Sequence, residues 1–224
     1  MSPDVLPVRT TRSDTRRTYD RLSRVYDFTE GVFECAAKSR AMRVAAAAPG
    51  ETLLEIGPGT GWALQRLSQA TGRQGRAYGV DISAGMLGVA HQRLRRTHVL
   101  LAAADAAALP FAGDMFDLAF MSFVLELMPT EEIPSVLAEI LRVLRPGGRL
   151  VDLSLSREAP NVMTRLYERG HRLLPHLLDC RPIYSRQSTE AAGMELLRAE
   201  RLRIWGLPAE ITLARKPRPS ESPG

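Results

Sequence analysis

An α/β fold built on a parallel sheet is what this sequence predicts, and three observations predict it. Short apolar runs alternate with segments of helical periodicity from residue 51 to residue 155, the pattern of parallel strands joined by covering helices. The first run, Leu53-Leu54-Glu55-Ile56, leads into Gly57-Pro58-Gly59-Thr60-Gly61. Glycines at every second position allow a sharp strand-to-helix turn and let a ligand lie against bare backbone. Polar side chains also fall at or just past four strand ends, namely Glu55, Asp81, Asp105 and Ser122. Ligands of parallel sheets gather at the carboxyl ends of the strands.

Residues 1 to about 13 are polar and proline-bearing, a composition that predicts disorder. From Asp14, Tyr19, Leu22, Val25 and Tyr26 recur at helical spacing, and a second helical run spans Phe33 to Ala48 before Pro49-Gly50. Residues 14–48 thus form a helical extension ahead of the first core strand, Glu51 to Ile56. Apolar positions 62, 64 and 67 make the next segment a helix. Arg76–Asp81 follows as a second strand, with Ser83 as N-cap of a helix from Ala84 to about Arg95. Val99–Ala102 and Phe116–Met121 are the third and fourth strands, and Thr130–Leu144 is an amphipathic helix carrying Ile133, Leu137, Ile140, Leu141 and Leu144 on one side. Arg145-Pro146-Gly147-Gly148 is predicted to turn the chain into a fifth strand, Arg149–Leu155.

Residues 156–184 break the alternation. Val162, Leu166, Gly170, Leu173 and Leu177 form a helical stripe beside Arg165, Arg169 and Arg172, which reads as a helical insertion after strand five. A short helix, Ser185–Ala192, is then predicted to be capped by Ser185 and ended by Gly193. Two closing strands, Glu195–Trp205 and Glu210–Arg215, are joined through Gly206-Leu207-Pro208, and 216–224 is a loose, disordered tail. Residues 14–215 therefore read as one domain, as the length of 224 residues suggests.

Composition narrows the classes. Hydrophobic residues make up 45% and charged residues 25%, ordinary for a soluble globular protein, and no apolar run is long enough to span a bilayer. The N-terminus lacks the pattern of a secretory signal. Cys35 and Cys180 match no metal-ligand spacing, so no metal is expected and a reduced, cytoplasmic protein is the plain reading. A net charge of +5 favours an anionic partner, which on charge alone leaves nucleic acid, an anionic membrane or an acidic small molecule open.

The glycine loop departs from the dinucleotide fingerprint G-x-G-x-x-G, because its third glycine, Gly61, comes one residue early. Together with G-V-D-I-S (79–83), A-D-A-A-A-L-P-F (104–111), F-D-L-A-F-M-S-F (116–123) and L-R-V-L-R-P-G-G-R-L (141–150), the sequence E-I-G-P-G-T-G (55–61) resembles the class I S-adenosylmethionine-dependent methyltransferases. The branch is the one containing ubiquinone/menaquinone-biosynthesis methyltransferases and phospholipid N-methyltransferases. The resemblance implies a Rossmann-like, seven-stranded, mostly parallel sheet with an antiparallel last strand, and S-adenosyl-L-methionine as cofactor. It implies that Gly57, Gly59, Thr60 and Gly61 wrap the methionine half of the cofactor, with Glu55, Ile82 and Met86 in the same binding set. Asp81 would hold the ribose hydroxyls, Asp105 and Ala106 would flank the adenine, Ser122 would border the cofactor and Tyr26 would close over it. Core packing is the competing account of Tyr26.

Methyl transfer from a sulfonium is an in-line displacement with a good leaving group, so catalysis is largely positioning and exclusion of water. A general base is required only when the attacking atom carries a proton. Candidate bases are His171 and His176, in the insertion that the family uses as a substrate cover, and Glu126 after strand four, and none is assigned the role. An apolar stripe flanked by arginines suits a lipophilic small-molecule acceptor such as a quinone precursor or phospholipid head group, with peripheral contact to an anionic membrane. A soluble natural-product acceptor, or a cofactor-binding protein without transfer activity, are the alternatives. Nucleic acid is disfavoured, because Met121-Ser122-Phe123-Val124 stands where an amino-methylating enzyme of DNA carries Asn/Asp-Pro-Pro-aromatic.

Overall fold

The computed structural model describes residues 5, 34–158, 160–173 and 180–218, with the side chains of 171–173 excepted. Tyr26, His176 and most of the predicted extension lie outside that set. The elements are α1 (Glu34–Ala45), β1 (Thr52–Ile56), α2 (Trp62–Thr71), β2 (Arg76–Asp81), α3 (Ala84–Leu94), β3 (Val99–Ala103), β4 (Phe116–Ser122), a 3₁₀ turn (Leu125–Leu127), α4 (Ile133–Val143), β5 (Leu144–Leu155), α5 (Val162–Leu173), α6 (Ser185–Ala191), β6 (Glu195–Ile204) and β7 (Leu207–Arg215).

The seven strands form one sheet in the order β3-β2-β1-β4-β5-β7-β6. The first five pair in parallel, and β7 runs antiparallel between β5 and β6. The expected seven-stranded sheet with a reversed last strand is therefore present. Both faces are covered, which is why Leu53, Leu54 and Ile56 of β1 and Leu118 to Met121 of β4 are apolar without alternation. In β4, Leu118 and Phe120 pack toward α1 and α2, while Ala119 and Met121 pack toward α4. Arg149 clamps the N-terminal edge: Nε donates to the Ala45 carbonyl (2.8 Å), Nη2 to the Ala46 carbonyl (3.0 Å), and both terminal nitrogens bond the Glu51 carboxylate.

Several boundaries differ from the sequence reading, four of them for a clear local reason. The predicted turn at 145–148 is a bulge inside β5: Leu144 already pairs with Phe116, and the register shifts between Phe116 and Leu118 to absorb the extra residues. The closing hairpin turns on Trp205 and Gly206, with φ of 54° and 80°, the mirror-image turn that suits the twist of paired strands, so Leu207 and Pro208 belong to β7. Ser185 does not cap α6 but lies within it, and its hydroxyl donates to Asp152 Oδ2 on β5. Helix α4 starts at Ile133, with Pro134 in its first turn, where a missing N–H costs nothing. Among the described residues, no helix is long and apolar enough to cross a membrane.

Candidate functional site

The chain order of the sheet reverses direction between β1 and β4, and a cavity opens there beyond the strand carboxyl ends. Its floor is the loop after β1. Gly57 adopts φ +65° and donates its N–H to the Val80 carbonyl (2.8 Å); a Cβ there would meet Val124 Cγ2 at 2.5 Å. Gly59, φ +54°, donates to Asp81 Oδ2 (3.2 Å), and a Cβ added to it would meet nothing within 4 Å. Bare backbone therefore faces open space, as a ligand cradle requires.

Thr60 lines the cavity, and its hydroxyl accepts from Arg93 Nη1 (2.8 Å). Gly61 is not among the lining residues. It takes φ +80° at the start of α2 and presses on α3, where a Cβ would come within 3.0 Å of Leu94 and 3.2 Å of Ala90. Its place is to shape the turn.

The remaining described residues of the expected cofactor set, Glu55, Asp81, Ile82, Met86, Asp105, Ala106 and Ser122, all line this one cavity. Parallel register brings them together, because each lies at or beyond the carboxyl end of one of four adjacent strands. Asp81 is held from both sides: Oδ1 accepts from Ser83 N (2.9 Å) and Oδ2 from Gly59 N. The Ser83 hydroxyl in turn accepts from Met86 N (3.1 Å) and caps α3. Asp105 Oδ1 accepts from Ala107 N (2.9 Å), a local turn that fixes its carboxylate.

Glu55 is fully buried and its Oε2 has no hydrogen-bond partner among the described residues. Burial, reinforced by the Asp81 charge and opposed by Lys38, pushes its pKa up to about 8. Glu55, Asp81, Asp105 and Glu132 thus line the cavity against a single described lysine, Lys38, an acceptor set suited to a cationic ligand with hydroxyl and amine hydrogens to share. S-adenosylmethionine, a sulfonium with an amino-acid end, a ribose and an adenine, fits that set.

The opposite wall is apolar. Beyond β4, Phe123, Val124, Leu127, Met128 and Pro129 border the cavity. Phe123 sits at φ +58°, unusual for an aromatic residue, and donates its N–H to the Leu153 carbonyl (2.7 Å) as the chain bends away from the sheet. None of these was singled out from the sequence except as part of a motif, nor was Lys38 or Trp62, because nothing local distinguishes a wall residue from a core one.

Glu126 neither reaches the cavity nor caps α4. It is fully buried in the 3₁₀ turn and points the other way, with Oε1 accepting from Leu155 N (3.0 Å). Burial and the neighbouring Asp152 charge push its pKa well up. His171 belongs to α5, and its side chain, like His176 and Tyr26, lies outside the described residues. The described residues of α5 do not line the cavity. No group of three potential metal ligands occurs among the described residues.

Comparison with known proteins gives the same picture. Residues 53–148 match a family described as a methyltransferase domain. A 2-phytyl-1,4-naphtoquinone methyltransferase of Trichormus variabilis is 32% identical over 153 residues, 65% of this chain and 66% of the relative. A ubiquinone/menaquinone biosynthesis C-methyltransferase UbiE of Vibrio parahaemolyticus is 33% identical over 136 residues, 58% of this chain and 52% of the relative. The chain thus matches about half to two thirds of the length of these relatives. Two solved structures share the fold: the [4+2]-cyclase SpnF (TM-score 0.74, 21% identity, 96% of this chain and 99% of that one) and the N-methyltransferase NodS of Bradyrhizobium japonicum bound to S-adenosyl-L-homocysteine (TM-score 0.71, 18% identity, 91% and 99%).

Proposed function

The chain carries a class I S-adenosylmethionine-dependent methyltransferase core, and from that premise we propose that it transfers a methyl group to a small lipophilic acceptor, a quinone precursor or a phospholipid head group. One observation carries this reading: the cavity has two ends of opposite character, Glu55, Asp81 and Asp105 on the β1–β3 side and a wall after β4 that is apolar from Phe123 to Pro129, with Glu132 beyond it in sequence. Relatives named as a 2-phytyl-1,4-naphtoquinone methyltransferase and as ubiquinone/menaquinone biosynthesis C-methyltransferases support this reading. The proposed setting is the cytoplasm, with peripheral contact to an anionic membrane.

When bound, the cofactor supplies an activated methyl on a positively charged sulfur. The chain's own residues do the rest. Asp81, fixed by the Gly59 and Ser83 amides, accepts from the ribose hydroxyls. Asp105 accepts from the adenine amine, and Ala106 packs beside the ring. Glu55 receives the cationic amino-acid end, and that charge favours its ionised form. Phe123, Val124, Leu127 and Met128 hold an apolar acceptor in line and keep water away. Ser122 borders the two halves. No general base is assigned for an acceptor whose attacking atom carries a proton: Glu126 is turned toward β5.

Two measurements test this. Calorimetry should detect S-adenosylmethionine and its demethylated product binding with one site per chain. Incubation with methyl-labelled cofactor and a bacterial lipid extract should give an organic-soluble labelled product. Binding without any labelled organic product, but with label in the aqueous fraction, would move the acceptor to the soluble class; cofactor bound with no label transferred anywhere would leave a binding protein.

A further inference from the structure

The strongest feature outside the cavity is a patch shared by α5 and the β6–β7 turn. Helix α5 exposes one arc. Val162 is 81% exposed, Leu166 60% and Met163 41%, whereas Thr164 on the opposite side is fully buried. Arg165 and Arg169, both exposed, run along one edge of that arc at i, i+4 spacing. Trp205, at the tip of the hairpin, is 66% exposed.

These pieces are fixed to one another. Asn161 Oδ1 accepts from Thr164 N (2.9 Å) while the Thr164 hydroxyl accepts from Asn161 N (3.1 Å), a reciprocal cap on α5. Asn161 Nδ2 donates to the Gly206 carbonyl (2.9 Å), and a Cβ built on Gly206 would touch Met163 Cγ at 3.6 Å. The helix start is therefore pinned to the hairpin tip, and Tyr167 OH, donating to the Cys180 carbonyl (3.0 Å), holds the buried side. Arg203 adds an exposed cation two residues before Trp205.

Position in the sheet gives the patch its meaning. β7 is antiparallel to β5, with Leu155 opposite Ala209. The β6–β7 turn and the start of α5 thus both lie at the carboxyl edge, the edge on which the cofactor cavity opens. An apolar arc with a tryptophan beside it and arginines along its border is the surface that seats at a lipid–water boundary: aliphatic and indole groups enter below the head groups while guanidinium groups meet anionic phosphates. We infer that Val162, Met163, Leu166 and Trp205, flanked by Arg165, Arg169 and Arg203, dock this protein on an anionic membrane with its cavity turned toward the bilayer. The inference rests on the lipophilic-acceptor reading above and adds the face and the lipid charge.

Vesicle sedimentation tests it, using phosphatidylcholine vesicles with and without 30% phosphatidylglycerol. Binding is expected to require the anionic lipid and to fall steeply with added salt. Val162→Glu/Leu166→Glu should lower it about tenfold or more, and Arg165→Ala/Arg169→Ala by about tenfold or more, at about one kcal/mol per arginine, with binding of S-adenosylhomocysteine unchanged in both. Binding equal to wild type in both double variants, or no binding to anionic vesicles, overturns the inference. So does a concentration-dependent dimer in light scattering without lipid that the Val162→Glu/Leu166→Glu variant abolishes, since the patch would then seat a second copy. Methylation of a detergent-solubilised quinone precursor reads the acceptor separately: its presence without vesicle binding removes the docking face alone, and patch-dependent vesicle binding without it removes the acceptor class alone.

Discussion

Replacing Glu55 with glutamine should flatten part of the dependence of folding stability on pH. In the unfolded chain this carboxyl titrates near its ordinary 4.5; in the fold, burial raises it to about 8. The folded state therefore prefers the protonated form. Stability from this group is fully present below about 4.5 and is lost as pH rises toward and through about 8. At about 1.4 kcal/mol per pH unit across that window, the loss approaches about 5 kcal/mol by pH 9, of which roughly half falls between pH 6 and pH 9. Glutamine keeps the shape and polarity of the protonated acid and removes the titration. Urea unfolding of both proteins at pH 6, 7, 8 and 9 gives the difference directly, because the other buried acids contribute equally to each. Parallel stability curves would refute the buried, protonated Glu55. The same reasoning extends to the cofactor: if its cationic end requires ionised Glu55, affinity for S-adenosylmethionine should rise about tenfold from pH 6 to pH 7 in the wild type and hardly at all in Glu55→Gln.

Asp81→Asn should weaken S-adenosylhomocysteine binding about ten- to hundredfold in calorimetry, since it removes a charge-assisted acceptor; an unchanged constant would take the ribose role from Asp81. Gly57→Ala forces an alanine to φ +65° and drives its Cβ to 2.5 Å from Val124, so a loss of about 2 kcal/mol in thermal or urea unfolding is expected together with weaker cofactor binding. Arg149→Met breaks the clamp on the Ala45 and Ala46 carbonyls and strands the partly buried Glu51 carboxylate. It should cost about 2 kcal/mol in urea unfolding while leaving the affinity for S-adenosylhomocysteine within twofold, because the clamp sits at the opposite end of the strands.

The cavity was readable from sequence wherever one residue type had one physical use. Gly57 and Gly59 stand at positive φ with backbone that must stay bare, and Asp81 and Asp105 close strands at which only a ligand or a cap would select an acid. Register then did the assembly, since parallel pairing lines up the carboxyl ends of β1, β2, β3 and β4 without further instruction. Gly61 shows the limit. Its spacing marks it as part of the loop, yet whether its missing Cβ makes room for a ligand or for Ala90 depends on how close α3 packs.

The same limit explains Glu126, the Arg145–Gly148 bulge and the hairpin turn. A glutamate one turn beyond a strand can point to either side; the 3₁₀ geometry sends it to Leu155 N rather than into the cavity. Pro146 and two glycines signal a bend, but pairing of Leu144 with Phe116 keeps the strand running through it. The amino-acid order alone determined the sheet, its helices and the acid-and-glycine half of the cavity, because those depend on local periodicity and on residues with few conformational uses. Tertiary contact decided the apolar wall from Phe123 to Pro129, the raised pKa of Glu55 and the exposed arc joining α5 to Trp205, because burial, side-chain direction and desolvation exist only once distant segments meet.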